Sequence, residues 1–561
     1  MSASSATETT APSHATQKPS LNPAFKTFIP LATGPTTPIN INMLASQLNN
    51  HPDKRACEFI LSGLNSGFSL GCKSTILPCQ PKNLQSALNN CEQVTNAFNK
   101  ELARASIAGP FVSPPFSDLH CSPVGAREKP DGTFRIILDL SQPDQNSVNK
   151  GIDKEEYSVQ YTQFDQATDL IMYVGQHSLL SKIDIQSAFR LLPVKPAEWY
   201  MLGMRWLNAY FIDCHLPFGC RSSPFIFNVF ADLIAWIITN TTHVTNIVHY
   251  LDDYLLVSSD NTQLATKELT QVKNVFAKLH IPIAEDKLVG PVTKLTYLGI
   301  DIDTTNLTIS LPEQKMRDLQ TLLPIWTSKH KCTKKQLLSL IGKLSFATEI
   351  VRAGRTFLRR LINLSTTVSK LHHHITLNVD ARRDIAWWIE FLPKWNGHSL
   401  VYDIHTTLAT DLHLFTDASN VGFGIIYHQR WIAQTWPLCI ANNTMYSIDF
   451  RELFAIYAAV ATFSHEWVGK RLIFHTDNLT ITQAWQKGTS KSTSLMPLIR
   501  TMLMNAAINN YSISFQHIPG VANRVADALS RQRLSEFRAL VPDSELRETP
   551  VPTDLWEPYN H

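Results

Sequence analysis

Two adjacent carboxylates, Asp252 and Asp253, are the residues whose type and spacing first imply chemistry in this chain. They stand between the apolar runs Ile247-Val248 and Tyr254 to Val257, a pattern that predicts a β-hairpin with the acids at its tip. Uncompensated aspartates side by side repel each other, so a fold that presents them calls for a cation to share. A solvated turn is the plain alternative for such a pair. Asp184 closes the apolar run Leu179-Leu180-Ser181-Lys182-Ile183, as expected of a buried strand delivering one acid to its end. Lys129 and Arg135 flank the turn signal Pro130-Asp131-Gly132 and are expected on opposite arms of a hairpin. Together they would suit a triphosphate; the alternative is two solvated strand residues. Leu216-Pro217-Phe218-Gly219-Cys220-Arg221-Ser222-Ser223-Pro224 reads as a tight loop opening the apolar helix 225–238. Gly219 lets backbone approach a ligand, and Pro224 suits a first helical turn.

The elements that must hold these groups belong to a long chain. With 561 residues and a prior of about 150 residues per domain, three or four units are expected. Hydrophobic residues make up 44% and charged residues 17%, a globular balance. The net charge is only +3, from 50 Lys and Arg against 47 Asp and Glu, so any nucleic-acid-binding surface must be local. Nine cysteines without regular spacing, Cys57, Cys72, Cys79 and Cys91 among them, suggest reduced, buried thiols rather than metal ligands. No secretory signal is seen and no apolar run nears the length of a membrane span. The expectation is therefore an intracellular protein, cytoplasmic or nuclear, not secreted and without a membrane partner.

Residues 1–45, rich in Ser, Thr, Ala and Pro, read as a disordered leader, and 46–110 as a helical N-terminal region. Beyond residue 311 the pattern is helical again, and Arg355, Arg359 and Arg360, at i, i+4 and i+5, are expected to form one basic helix face. That face would suit a nucleic-acid backbone, or be an ordinary solvated one. His372-His373-His374 reads as a surface cluster.

In order over residues 129–299, the Lys129–Asp139 hairpin, Asp184, the Leu216–Pro224 loop, Tyr250-Leu251-Asp252-Asp253, Lys287 and Tyr297-Leu298-Gly299 resemble the successive motifs of a retroelement reverse transcriptase. The wording of Gly109-Pro110-Phe111, Pro114-Pro115-Phe116, Leu119-His120, Ser122-Pro123-Val124-Gly125, His51-Pro52-Asp53 with Gly63-Leu64, and Leu216-Pro217-Phe218-Gly219 is similar to the DIRS-type, tyrosine-recombinase retrotransposons. The resemblance implies an α+β and α/β multidomain chain: a right-hand polymerase with fingers and palm over 111–310, a thumb over 311–375 and a connector over 376–411.

A second set of acids follows. Asp417 ends an extended segment, Glu452 lies on a helix with Leu453, Ile456 and Val460, Asp477 ends another strand, and Asp527 starts a short helix. Any one is unremarkable, but acids placed so can converge. Four in this order resemble the Asp-Glu-Asp-Asp tetrad of ribonuclease H, implying a domain over 412–533 with a mixed five-stranded sheet, then a C-terminal tail over 534–561. His517 falls where retroviral ribonuclease H domains carry a histidine ahead of the fourth acid.

What the resemblance implies is an RNA-directed DNA polymerase that also cleaves the RNA of RNA–DNA hybrids. Each site would use two Mg²⁺, with Mn²⁺ as an acceptable substitute, and partners would be RNA template, DNA primer, hybrid and dNTPs. Asp184 and Asp252 would be principal metal ligands and Asp253 a weaker third. Arg135, with Lys129, would neutralise phosphates, and Lys287 would protonate pyrophosphate. Phe189 would exclude a 2′-hydroxyl, its alternative being a core aromatic. Phe218, Gly219 and Tyr250 would contact the nucleotide, and Arg355, Arg359 and Arg360 the template–primer. Asp417, Glu452, Asp477 and Asp527 would bind the second metal pair. The rival reading is a catalytically silent or co-opted copy that binds nucleic acid. Telomerase-like or intron-type polymerases fit less well, because of the ribonuclease H segment. No Asp-Thr/Ser-Gly protease triplet, His-His-Cys-Cys finger or tyrosine-recombinase segment is seen. Oligomeric state is not legible.

Overall fold

The computed structural model of the chain describes residues 23–129, 132–395, 398–400, 406–408, 414–476, 478–487, 494–509, 511–517 and 523–559. The chain divides into two compact units, residues 1–162, 181–256 and 263–289, and residues 163–180, 257–262 and 290–561.

Helix Ser223–Thr242 is the centre of the first unit. It is apolar on most of its circumference, the mark of a helix enclosed by protein, and Ile226, Phe227, Phe230, Ile234, Ile237 and Ile238 are buried. Among the described helices it is long and apolar enough, at mean hydropathy 1.4, to cross a membrane by length and composition. That corrects the expectation that no run nears such a length; here the apolarity fills a core. Strand Asp253–Ser258 runs antiparallel to Ile247–Tyr250 and lies beside Leu179–Asp184 in one sheet. Strands Ile107–Phe111, Ala209–Asp213 and Gly203–Trp206 make a second, antiparallel sheet. The hairpin Val124–Glu128 with Phe134–Leu138 stands apart from both.

The expected disordered leader is corrected from residue 23 onward. Phe25 and Ile39 are buried, the Phe25 ring lies 5.0 Å edge-on from Phe211, and helix Ile41–Gln47 starts where the Asn40 side chain accepts the Met43 N–H. Isolated apolar anchors set among Ser, Thr and Pro carry no periodicity, which is why they read as disordered.

In the second unit, helices Glu313–Thr327, Lys334–Ala347, Arg359–Ser365 and Val379–Lys394 form a helical part. Helix Val379–Lys394 packs on Glu313–Thr327, Trp388 and Phe391 are buried, and Trp387 stacks 3.7 Å from Phe357. The helical part therefore continues past residue 375 and takes in the start of the expected connector. Farther on, Leu414–Ala418, Gly422–Tyr427 and Arg430–Thr435 form an antiparallel sheet, while Thr406–Leu408, Arg471–Thr476 and Ser512–His517 form a parallel one. The mixed α/β character is as expected, but among the described residues the strands group as two sheets of three rather than one of five. The reason is that Thr406–Leu408 takes the place beside Arg471–Thr476. The expected tail is also corrected: Phe537 lies buried 5.4 Å from Trp431, and Trp556 stacks 5.2 Å from Phe454.

Candidate active sites

The first site is built at the ends of neighbouring strands. Tyr250 pairs with Asp253, so Leu251 and Asp252 are the whole turn of the acidic hairpin. Leu251 has φ 53°, a left-handed conformation that side-chain-bearing residues seldom adopt and that costs on the order of 1 kcal/mol or more. The turn is pinned from both sides: the Ile185 N–H donates to the Asp252 carbonyl at 3.0 Å, and the Ala284 N–H to the Asp184 carbonyl at 2.9 Å. These bonds bring Asp184, Asp252, Asp253 and the segment leading to Lys287 into one place.

The electrostatics show how close they are. Burial raises the Asp252 carboxyl above the ordinary range and nearby Asp184 adds to it, while Lys287 and Arg135 pull down. Asp253 is pushed up to about 6, first by burial, then by Asp252 and Asp184, and it shares a hydrogen bond with the Asp184 carboxyl. Lys287 Nζ donates to Asp184 Oδ2 at 2.8 Å. Burial works against its charge, but that bond and the three carboxylates outweigh it and hold its pKa above the ordinary value. Among the described residues no three His, Cys, Asp or Glu side chains are already arranged as a metal cage. The donor set still fits a hard divalent cation, since three mutually repelling carboxylates supply only oxygen ligands.

The nucleotide-facing candidates lie in the same unit. Arg135 stacks its guanidinium 4.5 Å from the centre of the Phe218 ring and is felt at Asp252. Lys129 closes its hairpin through backbone bonds to Thr133 and Gly132; Pro130 and Asp131 are outside the described residues. Phe189 is 8% exposed, between Phe218 at 5.0 Å and Phe227 at 5.5 Å. Gly219 has φ 103°, and a Cβ there would come within 2.6 Å of the Leu138 carbonyl. Tyr250 stacks on Tyr161 at 5.1 Å.

Several residues that shape this site went unnoticed in the sequence. Lys182 acts on Asp253 and shares a strand face with Asp184, a two-residue spacing that was there to be read. Asn149, buried, donates to the Gly219 carbonyl at 2.8 Å and accepts the Arg221 N–H at 2.8 Å, fixing the glycine loop. Arg190 bridges Glu101 at 3.1 Å and Asp213 at 2.6 Å behind Phe189. No local pattern signals either of these.

In the second unit, Asp417 pairs directly with Gly424, and helix Arg524–Ser530 lies so near that a Gly424 Cβ would meet the Ala526 carbonyl at 2.5 Å. The bare glycine thus lets the helix bring Asp527 to Asp417. Ser530 Oγ donates to Asp417 Oδ2 at 2.7 Å. Asp527 binds Arg531 at 2.7 Å and also Arg533, and Arg531 is held in its charged form by Asp527 first and by Asp417 as well. Glu452 lies on helix Ile448–Phe463. One turn before it, Asp449 accepts at 2.6 Å from Asn478, the residue after Asp477. Asp477 itself is outside the described residues. His517 is exposed and pairs in register with Thr476.

The three arginines do not form one face. Arg355 lies in the 3-10 turn Arg352–Phe357 and pairs with Glu349 at 3.3 Å; Arg359 and Arg360 belong to a separate helix. Arg360 is turned to the buried Asp384 at 3.4 Å, so only Arg359 of that pair points outward. The i, i+4 spacing failed because the helix is interrupted at Leu358.

Residues 127–302 match the family described as reverse transcriptase (RNA-dependent DNA polymerase), and residues 434–533 the family described as reverse transcriptase-like. The Tf2-3 polyprotein of Schizosaccharomyces pombe is 22% identical over 447 residues, covering 76% of this chain and 30% of the polyprotein, and the Tf2-7 polyprotein matches equally. The chain thus spans under a third of these curated relatives. A foamy viral protease–reverse transcriptase in complex with double-stranded DNA is similar at 16% identity and TM-score 0.47, covering 88% of this chain and 99% of that one. The same protein with an RNA/DNA hybrid gives 16% and 0.46, covering 88% and 65%. Two segments of the chain thus match, in that order, a reverse transcriptase family and a reverse transcriptase-like family.

Proposed function

We propose that the chain is the RNA-directed DNA polymerase of a retrotransposon, with ribonuclease H cleavage in its second unit, and that the element is of the DIRS type. The observation that carries this reading is the gathering of Asp184, Asp252, Asp253 and Lys287 at one strand end within the matched reverse transcriptase segment. The DIRS assignment rests on the sequence wording alone.

Asp184, Asp252 and Asp253 would hold divalent metal, Mg²⁺ by the hardness of the donors. When bound, such ions activate an attacking oxygen and stabilise a leaving one. Around them, Lys287 holds a proton at Nζ, placed to pass it to the departing pyrophosphate. Arg135, kept flat against Phe218, meets the phosphates of a dNTP, and Lys129 reaches the same anion from the turn. Phe189 leaves only an edge for the sugar and excludes a 2′-hydroxyl, while Gly219 lets the backbone close on it. Asp417, Glu452, Asp477 and Asp527 would serve a water attack on RNA phosphate in a hybrid, with His517 beside the last strand. The protein would act inside the cell, on RNA template and DNA primer.

A catalytically silent copy that only binds nucleic acid is the second reading. One experiment separates them. Asp184→Asn should abolish Mg²⁺-dependent primer extension on RNA and leave hybrid cleavage, and Asp417→Asn should do the reverse. A wild-type chain without extension, or equal loss of both activities in either variant, sinks the proposal.

A further inference from the structure

The chain from Phe25 to Ile39 runs as a strap over the first unit. Phe25 and Ile39 are buried, and between them Ile29 pairs with Gly109 through two backbone bonds of 2.8 Å. Near its end the strap makes polar contacts with the two elements that carry Phe189 and Phe218. Thr37 Oγ1 donates to the Leu191 carbonyl at 2.7 Å and accepts the Ile39 N–H at 3.2 Å. The Thr36 carbonyl lies 3.1 Å from Nε2 of His215. Leu191 closes the 3-10 turn Ala188–Leu191, which holds Phe189. His215 leads into the loop of Phe218 and Gly219, and the next N–H, of Leu216, donates to the Leu192 carbonyl at 3.0 Å. Turn and loop are thus tied to each other and to one point on the strap.

Phe189 needs such ties. Ser187, just before the turn, has φ 55°, a left-handed backbone that persists in a side-chain-bearing residue only where surrounding contacts hold it. Two anchors follow Phe189: Arg190, ion-paired with Glu101 and Asp213, and Leu191, held by Thr37. The buried His215 ring also faces the Ser106 carbonyl, 3.1 Å from Nδ1. Burial first, and Arg190 as well, hold its pKa below the ordinary value against the pull of both carbonyls and Asp213. A neutral imidazole has one N–H and bonds one of the two carbonyls at a time. The Thr37 hydroxyl, a donor facing an acceptor, is therefore the firmer of the two fastenings.

We propose that Thr37, supported by His215, is a specificity-determining positioning residue. The strap holds the turn so that the Phe189 ring closes on the sugar, and it thereby sets how strongly a 2′-hydroxyl is refused. The role at the sugar rests on the polymerase reading; the strap's hold on the turn does not. Phe189 lies 5.0 Å from Phe218, so a small displacement of the turn opens room beside the ring. Loss of one hydrogen bond shifts such a positional equilibrium by about two- to tenfold.

The test uses the full chain with Mg²⁺, an RNA template and a DNA primer, and measures single incorporation of a dNTP and of the matching rNTP. Thr37→Val keeps the side chain's shape and loses the donor. It should raise kcat/KM for rNTP relative to dNTP by about two- to tenfold, through a lower KM for rNTP with kcat for dNTP unchanged. Thr37→Ser should keep the wild-type ratio, and His215→Phe should move it as Thr37→Val does. Thr37 is only half-buried, so Thr37→Val decides the matter even where His215→Phe fails to fold. In the metal-free chain, hydrogen exchange at the Leu192 and Leu216 amides should quicken in Thr37→Val and not in Thr37→Ser. An unchanged ratio in Thr37→Val, or an equal loss with both nucleotides, overturns the proposal. A wild-type chain that incorporates neither nucleotide sinks the polymerase reading and the sugar role with it. Quickened exchange beside an unchanged ratio sinks this proposal alone.

Discussion

Asp253→Asn, at the candidate catalytic centre, should make the metal-free protein more stable. In the folded chain the Asp253 carboxyl is raised from the ordinary 3.8 to about 6 by burial, Asp252 and Asp184. Its proton is therefore held more tightly in the folded than in the unfolded state. The stability linked to that proton is fully present below about pH 4 and is lost as pH rises through about 6. A shift of about two units is worth about 3 kcal/mol at most. Partial burial, the pull of Lys182 and salt reduce this to about 1–2 kcal/mol. The amide of Asp253→Asn keeps a donor for Asp184 and removes the charge, so above pH 6 it should recover that loss. For a unit of this size the gain corresponds to about 2–6 °C in Tm, read as the shift of the transition that includes the first unit. The assay is thermal unfolding in EDTA at pH 7.5 and at pH 4, then at pH 7.5 with excess Mg²⁺. The variant should lead at pH 7.5, match the wild type at pH 4, and lose its lead in Mg²⁺, because a bound cation relieves the same repulsion in the wild type. A variant equal to or below the wild type at pH 7.5 would refute the reasoning, and an equal lead at pH 4 would show the gain is not electrostatic.

Gly219→Ala should lower the urea midpoint by a change worth about 1–3 kcal/mol, since a side chain at φ 103° is strained and its Cβ meets the Leu138 carbonyl at 2.6 Å. The KM for dNTP should rise with it, because Phe218 is the adjacent residue. Arg190→Met should cost about 3–5 kcal/mol by urea unfolding at pH 7.5, as it leaves the buried Asp213 and the half-buried Glu101 without their cation.

The acidic hairpin was legible because its information is local. Two short apolar runs on either side of a polar break at Asp252-Asp253 specify strand, turn and strand within a dozen residues, and Asp184 and the Gly219 loop were readable from equally local patterns. Arg355, Arg359 and Arg360 were misread by that same local logic: helical spacing means a shared face only where the helix is unbroken, and here the chain breaks at Leu358, next to Phe357 stacked on Trp387. Phe25 and Phe537 were missed because one aromatic in a polar stretch has no period, yet it can fill a core pocket made by distant residues.

By itself, then, the sequence determined which acids could serve together, in which order, and on strand ends, turns or helices, because those features depend on neighbours a few positions away. Only the tertiary structure decided that Lys287 sits on Asp184, that Asn149 holds the glycine loop, and that Arg531 stands with both Asp417 and Asp527. Each is a meeting of groups far apart in the chain, and Coulomb and hydrogen-bond energies depend on distance in space, which sequence separation does not reveal.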